Sequence, residues 1–212
     1  MNKEKIILDL CGGTGSWSRP YKNAGYDVRL ITLPDNDVRT YKPPENVYGI
    51  LAAPPCTMFS LARTKAKIPR NLREGMECVK ACLDIIWECQ YKLKNPNARE
   101  TTLKFWALEN PYAMLKFFLG KPAFVFDPWE FGDGYQKKTA LWGKFNEPKK
   151  SPTPMTEEMK KKAKTNSYLH TIKFDMLKSK DIHPEAFGKF DRQTRRSITP
   201  AGFAEAFYKA NQ

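Results

Sequence analysis

Lys5-Ile6-Ile7-Leu8-Asp9-Leu10-Cys11-Gly12-Gly13-Thr14-Gly15 is the stretch on which the fold turns. An apolar, partly β-branched run breaks into glycines, and helical spacing follows as far as Gly25. A strand that hands over to a helix through glycines lets the backbone come close to a ligand, and the helix start offers unpaired N–H donors. Asp9, Cys11, Gly12, Gly13, Thr14 and Gly15 are therefore candidate cofactor contacts, although the same glycines also suit a plain tight turn.

Outward from this stretch the pattern repeats. Residues 26–33 and 47–52 read as further strands. Residues 76–91 place Val79, Leu83 and Ile86 at helical spacing with Cys82 and Cys89 between them. Residues 103–108 and 123–126 are strand-like again. This alternation predicts an α/β fold with a Rossmann-like, doubly wound, parallel-rich sheet. After Trp142 the texture changes: residues 146–164 hold Pro148, Pro152 and Pro154, with six lysines against three glutamates. That segment reads as an exposed insertion, helical over 156–164. Residues 201–210, preceded by Thr199-Pro200, read as a capped helix with proline at its first position. The expected parts are a core over 1–142, a short basic insertion over 143–195, and a C-terminal helix over 196–212 that returns to the core.

Composition narrows the function. In 212 residues, 36 Lys and Arg against 23 Asp and Glu leave a net charge of +13. That excess exceeds what solubility needs and favours a nucleic-acid partner. Hydrophobic residues at 41% and aromatics at 13% suffice for a packed core. No apolar run is long enough for a membrane span, and the first residues lead straight into a strand, so neither membrane nor signal peptide is expected and the location is cytoplasmic. The five cysteines form no C-x-x-C pair, and His170 and His183 lie far from them. A disulfide framework and a metal site are therefore not expected.

The chemistry concentrates at strand ends. Ala53-Pro54-Pro55-Cys56-Thr57-Met58-Phe59-Ser60 follows the third predicted strand, which puts Cys56 at the carboxyl edge of a parallel sheet, the usual ligand edge. Stiffened by two prolines, Cys56 reads as a nucleophile, whereas Cys11, Cys78, Cys82 and Cys89 read as core cysteines. Ala107-Leu108-Glu109-Asn110-Pro111 ends another strand. Apolar surroundings would raise the pKa of Glu109 and keep a proton on it, as an acid catalyst requires. Asp37, just after the second strand, could accept from an adenine amino group or simply shape a turn.

The order of these motifs resembles the DNA cytosine carbon-5 methyltransferase family, in the compact form carried by bacteriophages. Residues 9–15, 53–60, 108–111, 135–142 and 196–207 carry the likeness across nearly the whole chain. The Pro-Cys and Glu-Asn pairs are its specific elements. The resemblance implies a fold of the S-adenosylmethionine-dependent methyltransferase type and transfer of a methyl group from S-adenosylmethionine to carbon 5 of cytosine. In that scheme the Cys56 thiolate adds to carbon 6, and Glu109 hydrogen-bonds the ring nitrogen and the exocyclic amine. The Gly-rich turn, Asp37 and Pro54 hold the cofactor, and no metal takes part. Because the target atom is buried in a duplex, the base must be flipped out. The basic run Ser60, Arg63, Lys65, Lys67, Arg70 and Arg73 then resembles the family's loop that closes over double-stranded DNA. Lys137 is expected on the DNA, and Lys138 stands where the family places an arginine that holds the flipped base.

The chain departs from the family pattern in several places. Cys11 replaces a phenylalanine, Ile31-Thr32-Leu33-Pro34 supplies no ribose-binding carboxylate, lysines replace arginines in the fourth motif, and the last motif lacks a Gly-Asn pair. Between the fourth and last motifs only residues 143–195 stand where larger relatives carry a target-recognition domain. A short or relaxed recognition sequence follows from this, unless another protein or a second copy supplies recognition. A binding module without turnover, and the same chemistry on RNA, remain open at this level. The presence of both Cys56 and Glu109 favours an enzyme.

Overall fold

The computed structural model describes residues 2–61, 66–91, 102–133, 135–152, 172–173, 183, 186 and 188–212. Strand β1 (Ile6–Leu10) lies inside a six-stranded sheet. Parallel to it run β2 (Asp27–Ile31), β3 (Val47–Ala52) and β4 (Phe105–Pro111). Strand β5 (Phe124–Phe126) closes the far edge; a separate two-residue strand, β6 (Tyr135–Gln136), precedes β7 (Thr139–Lys144). The sheet order is β2-β1-β3-β4-β7-β5, with β7 antiparallel to both of its neighbours. Strand β6 pairs in parallel with β8 (Ile172–Lys173). The sheet is thus mixed and mostly parallel.

The near-continuous apolar runs in β1, β3 and β4 exist because both faces of the sheet are covered. Adjacent residues divide between two cores: Leu8, Ile50 and Leu108 enter one, and Ile7, Leu51 and Ala107 the other. Over the first lies α2 (Leu72–Gln90), which buries Val79, Cys82, Ile85, Ile86 and Cys89. Its start is fixed by Asn71, whose side chain accepts from the Glu74 N–H at 3.1 Å, four residues ahead of the apolar period that signalled the helix. Over the second lie α1 (Arg19–Asn23) and, beyond the short helices α3 (Lys116–Leu119) and α4 (Arg192–Ser197), the C-terminal α5 (Ala201–Ala210). That core is aromatic: Trp17, Tyr21, Phe105, Phe126, Phe203 and Phe207 interlock, with Phe126 and Phe203 stacked at 3.9 Å.

Several expectations are revised. The helix expected directly after Gly15 begins only at Arg19, because Cys11, Gly13 and Gly15 take left-handed φ angles of 56°, 54° and 65°. Pro200 caps α5 from outside, with an extended ψ of 132°, rather than occupying its first turn. The boundary at 142 cuts through β7, which runs on to Lys144, and Phe145 still packs in the aromatic core. Most of the expected insertion, with its helix over 156–164, lies outside the described residues. Among the described residues no helix is long and apolar enough to cross a membrane.

Candidate active site

Parallel pairing brings the carboxyl ends of β1, β3 and β4 to one edge, where Leu10, Ala52 and Leu108 stand in register. Strand β7, running the other way, starts at the same edge opposite Pro111 and so delivers Lys137 and Lys138 to it. The loops leaving this edge are tied together. The Ala53 N–H donates to the Leu10 carbonyl at 2.8 Å, and the buried Asn110 amide donates to the Pro54 carbonyl at 3.0 Å. The Tyr112 N–H donates to the Lys138 carbonyl at 3.0 Å.

Cys56 opens a tight turn, its carbonyl accepting from the N–H groups of Phe59 and Ser60, both at 2.9 Å. Phe59 is fully buried and anchors the turn in the core. Arg70 clamps it from outside, donating to the carbonyls of Met58 at 2.7 Å and Ser60 at 2.8 Å. Gly75 of α2 comes so close that a Cβ there would lie 2.8 Å from the Met58 Cβ. Arg70, expected on DNA, thus has its guanidinium turned onto the protein backbone. Lys67 and Arg73 are exposed, as a DNA contact requires, and Arg63 and Lys65 lie outside the described residues.

Two half-buried groups at this edge lie within electrostatic reach of each other. Burial pushes the Cys56 thiol above the usual thiol range; the Lys137 ammonium pulls it down, the Glu109 carboxylate pushes it up, and Arg196 again lowers it. Burial likewise raises Glu109, and Lys137 opposes that rise. Glu109 accepts no hydrogen bond from any described side chain, so its carboxyl is available to a ligand. The Lys137 ammonium donates to the Arg196 carbonyl at 3.1 Å, which ties this edge to the end of α4. The structure therefore brings Cys56, Glu109 and Lys137 together. Lys138 is exposed, and its ammonium sits 5.3 Å over the Tyr112 ring.

The Gly-rich turn is built over a carboxyl. Asp9 is fully buried, the Ser18 hydroxyl donates to its Oδ2, and burial raises its pKa to about 6. Gly12 must be glycine, since a Cβ would lie 2.3 Å from the Asp9 carboxyl. The buried Asp9 Oδ1 and Asn110 Oδ1 have no hydrogen-bond partner among the described residues. Beside Gly13, which takes a left-handed φ of 54°, no atom would approach an added Cβ within 4 Å, so the turn's outer side is open. A turn open on its outer side, whose glycines let a ligand come close to the backbone, suits a polar, nucleoside-bearing cofactor. Thr14 and Gly15 complete the turn, and below it Cys11 shares a hydrogen bond with Cys82, whose thiol is pushed well up by that bond and by burial. Asp37 lies within electrostatic reach of Cys11 but is gripped by Arg39, which holds its carboxylate down at about 2. As an acceptor for a cofactor, Asp37 would have to give up that exposed ion pair.

Sequence reasoning missed Ser18, Asn110 and Arg196. Asn110 and Arg196 stood inside quoted motifs, but nothing in their spacing marked them; Ser18 depends on the turn geometry. Among the described residues no group of three or more His, Cys, Asp or Glu is arranged to hold a metal ion. Fold and site together define an α/β protein whose ligand edge carries a thiol, a protonatable carboxyl and an ammonium. No protein-family model matches the chain, and no curated protein sequence matches it.

Proposed function

We propose that the chain is a DNA cytosine carbon-5 methyltransferase of the S-adenosylmethionine-dependent type, acting on double-stranded DNA in the cytoplasm. The observation that carries this reading is the placement of Cys56 and Glu109 at the same carboxyl edge of the sheet, within electrostatic reach of each other and of the Lys137 ammonium.

Carbon 5 of cytosine is too weak a nucleophile to accept a methyl group unaided. The Cys56 thiolate forms a bond to carbon 6, and the electron pair displaced from the ring double bond makes carbon 5 enamine-like. Glu109, whose hold on its proton is strengthened by burial, donates to ring nitrogen 3 and takes up the negative charge that the addition places there. Gly12, Gly13, Thr14 and Gly15, in the turn that Asp9 shapes from beneath, would hold S-adenosylmethionine, which would supply an electrophilic methyl group and depart as S-adenosylhomocysteine. A water molecule then takes the carbon-5 proton, and the electron pair of that C–H bond restores the ring double bond as the carbon–sulfur bond breaks and Cys56 leaves as thiolate. A thiol raised by burial is poorly ionised at neutral pH, so Lys137 and Arg196 are needed to favour the anion. Flipping exposes the base to this pair. The exposed Lys67 and Arg73 flank the thiol turn and suit phosphates, which position the duplex without reading its sequence.

The test is incubation of the protein with unmethylated duplex DNA and labelled S-adenosylmethionine, with digestion to nucleosides and mass analysis. We expect 5-methyldeoxycytidine from the wild type, and from Cys56→Ser a loss on the order of 10⁴–10⁶-fold, as when a nucleophile is removed. Duplex affinity should survive the substitution. Turnover by Cys56→Ser overturns the mechanism; cofactor binding without product on DNA moves the reading to RNA or to a binding module.

A further inference from the structure

Beyond Glu109 the same strand leads to an aromatic surface that the chemistry above leaves unused. Tyr112 follows the last residue of β4, and the Lys116 ammonium lies 4.3 Å and the Lys138 ammonium 5.3 Å from its ring centroid. Lys116 also lies 5.3 Å from the ring of Phe117, which is 76% exposed. Phe118, 49% exposed, packs edge-on against Phe59 with ring centroids 6.4 Å apart. The Met114 N–H donates to the Phe59 carbonyl at 3.3 Å. The aromatic surface is thus fastened to the turn that carries Cys56.

A phenylalanine this exposed gains nothing from the core, and the ammonium beside it, with a second one over Tyr112, repels any basic partner. They suit a polyanion that also offers flat, apolar faces, which a nucleic-acid strand with unpaired bases does. The exposed faces of its bases can stack on aromatics while phosphates meet the lysines. Spacing agrees. Tyr112 stands three residues past Glu109, about 10 Å at about 3.3 Å per residue, or roughly three nucleotide steps at 3.4 Å along one strand.

Resting on the methyltransferase reading, we infer that Phe117, with Lys116 and Lys138 gathered over Tyr112, forms a stacking platform for unpaired DNA a few nucleotides from the target cytosine. The substrate is then duplex DNA opened beside the target, and the platform helps hold the opened strand without reading its sequence. Stacking is indifferent to base identity, which fits a chain with only a short segment where a recognition domain would stand.

The experiment measures affinity by fluorescence anisotropy for one cytosine-containing DNA sequence in three labelled forms: single-stranded, fully paired, and paired with mismatches about three steps from the cytosine. Wild type is expected to bind the single-stranded and mismatched forms more tightly than the fully paired one. Phe117→Ala should lose about 5- to 150-fold on the two opened forms, the worth of one stacked base, and Phe117→Trp should restore it. Lys116→Ala should weaken all three forms together. Equal binding of every form by wild type and Phe117→Ala overturns the platform. If wild type nonetheless yields 5-methyldeoxycytidine, only the platform falls; if it binds no DNA and yields no product, the methyltransferase reading falls with it.

Discussion

Asp9 on β1 and Glu109 on β4 flank the same strand, and burial raises the pKa of both carboxyls. Their surroundings differ otherwise. Asp9 is closed in: Ser18 donates to one oxygen, and the Gly12 backbone lies over the carboxyl with no room for a Cβ. Glu109 is half-buried, accepts no hydrogen bond from a described side chain, and is offset only by the charge of Lys137. A carboxyl enclosed by its own turn shapes that turn and whatever binds over it. A carboxyl raised by burial but left without a partner can pass a hydrogen bond or a proton to a substrate. One edge thus holds two carboxyls that burial raises alike and that differ in what encloses them.

The sharpest way to break the comparison is Glu109→Gln. Glutamine keeps the shape and a donor but has no ionisable proton to share with the adduct. We expect the single-turnover methylation rate to fall about 10²–10⁴-fold, the usual worth of a positioned acid, with duplex affinity changed by no more than a few fold. A rate within about tenfold of wild type would mean that Glu109 is as structural as Asp9.

Asp9→Asn tests the other side, and the sign is fixed by the shift. The folded carboxyl holds its proton up to a pKa of about 6, against 3.8 for the free group, so the native state binds protons more tightly than the unfolded chain. This contribution is fully present below about pH 4 and is lost as the pH rises through about 6, a loss of about 3 kcal/mol by neutral pH. Asparagine does not titrate and can still accept from Ser18. Thermal melts from pH 4 to pH 7 should therefore show Asp9→Asn gaining on wild type as the pH rises, with the gain levelling off above about pH 6. Melting curves that stay parallel across the range would show that Asp9 is not buried as charge.

The legible features were those written as runs. Strand β3 and helix α5 fall on the residues that periodicity marked, because each is an apolar run bounded by proline or a turn. Cys56 and Glu109 were legible because each sits at the end of such a run. What escaped depends on partners distant in sequence. Strand β4 continues through Glu109 and Asn110 to Pro111 only because β7 pairs with it there. Arg70 belongs to a basic run, and its inward turn rests on two carbonyls ten and twelve residues back. The late start of α1 reflects left-handed angles at Cys11, Gly13 and Gly15, which hydrophobic spacing does not encode. The choice between Lys137 and Lys138 was hardest: neighbours in an extended stretch face opposite ways, and which one faces the thiol is set by β7.

That choice yields the finest test. Lys137 lowers both Cys56 and Glu109, so Lys137→Met removes a cation that acts on both and both pKa values rise. The thiolate needed for addition then forms at higher pH. The rising limb of kcat/KM should move to the alkaline side, with the deficit greatest near neutrality and shrinking as the pH is raised. Lys138→Met removes a charge that faces Tyr112 rather than the thiol; its effect should fall on DNA affinity and leave the limb in place. Iodoacetamide labelling of Cys56 across pH, with the other cysteines replaced by serine or alanine, reads the same shift without turnover. If both substitutions leave the labelling profile unmoved, the ammonium beside the thiol is not what readies it. If only Lys138→Met moves it, Lys138 rather than Lys137 is the cation that readies the thiol.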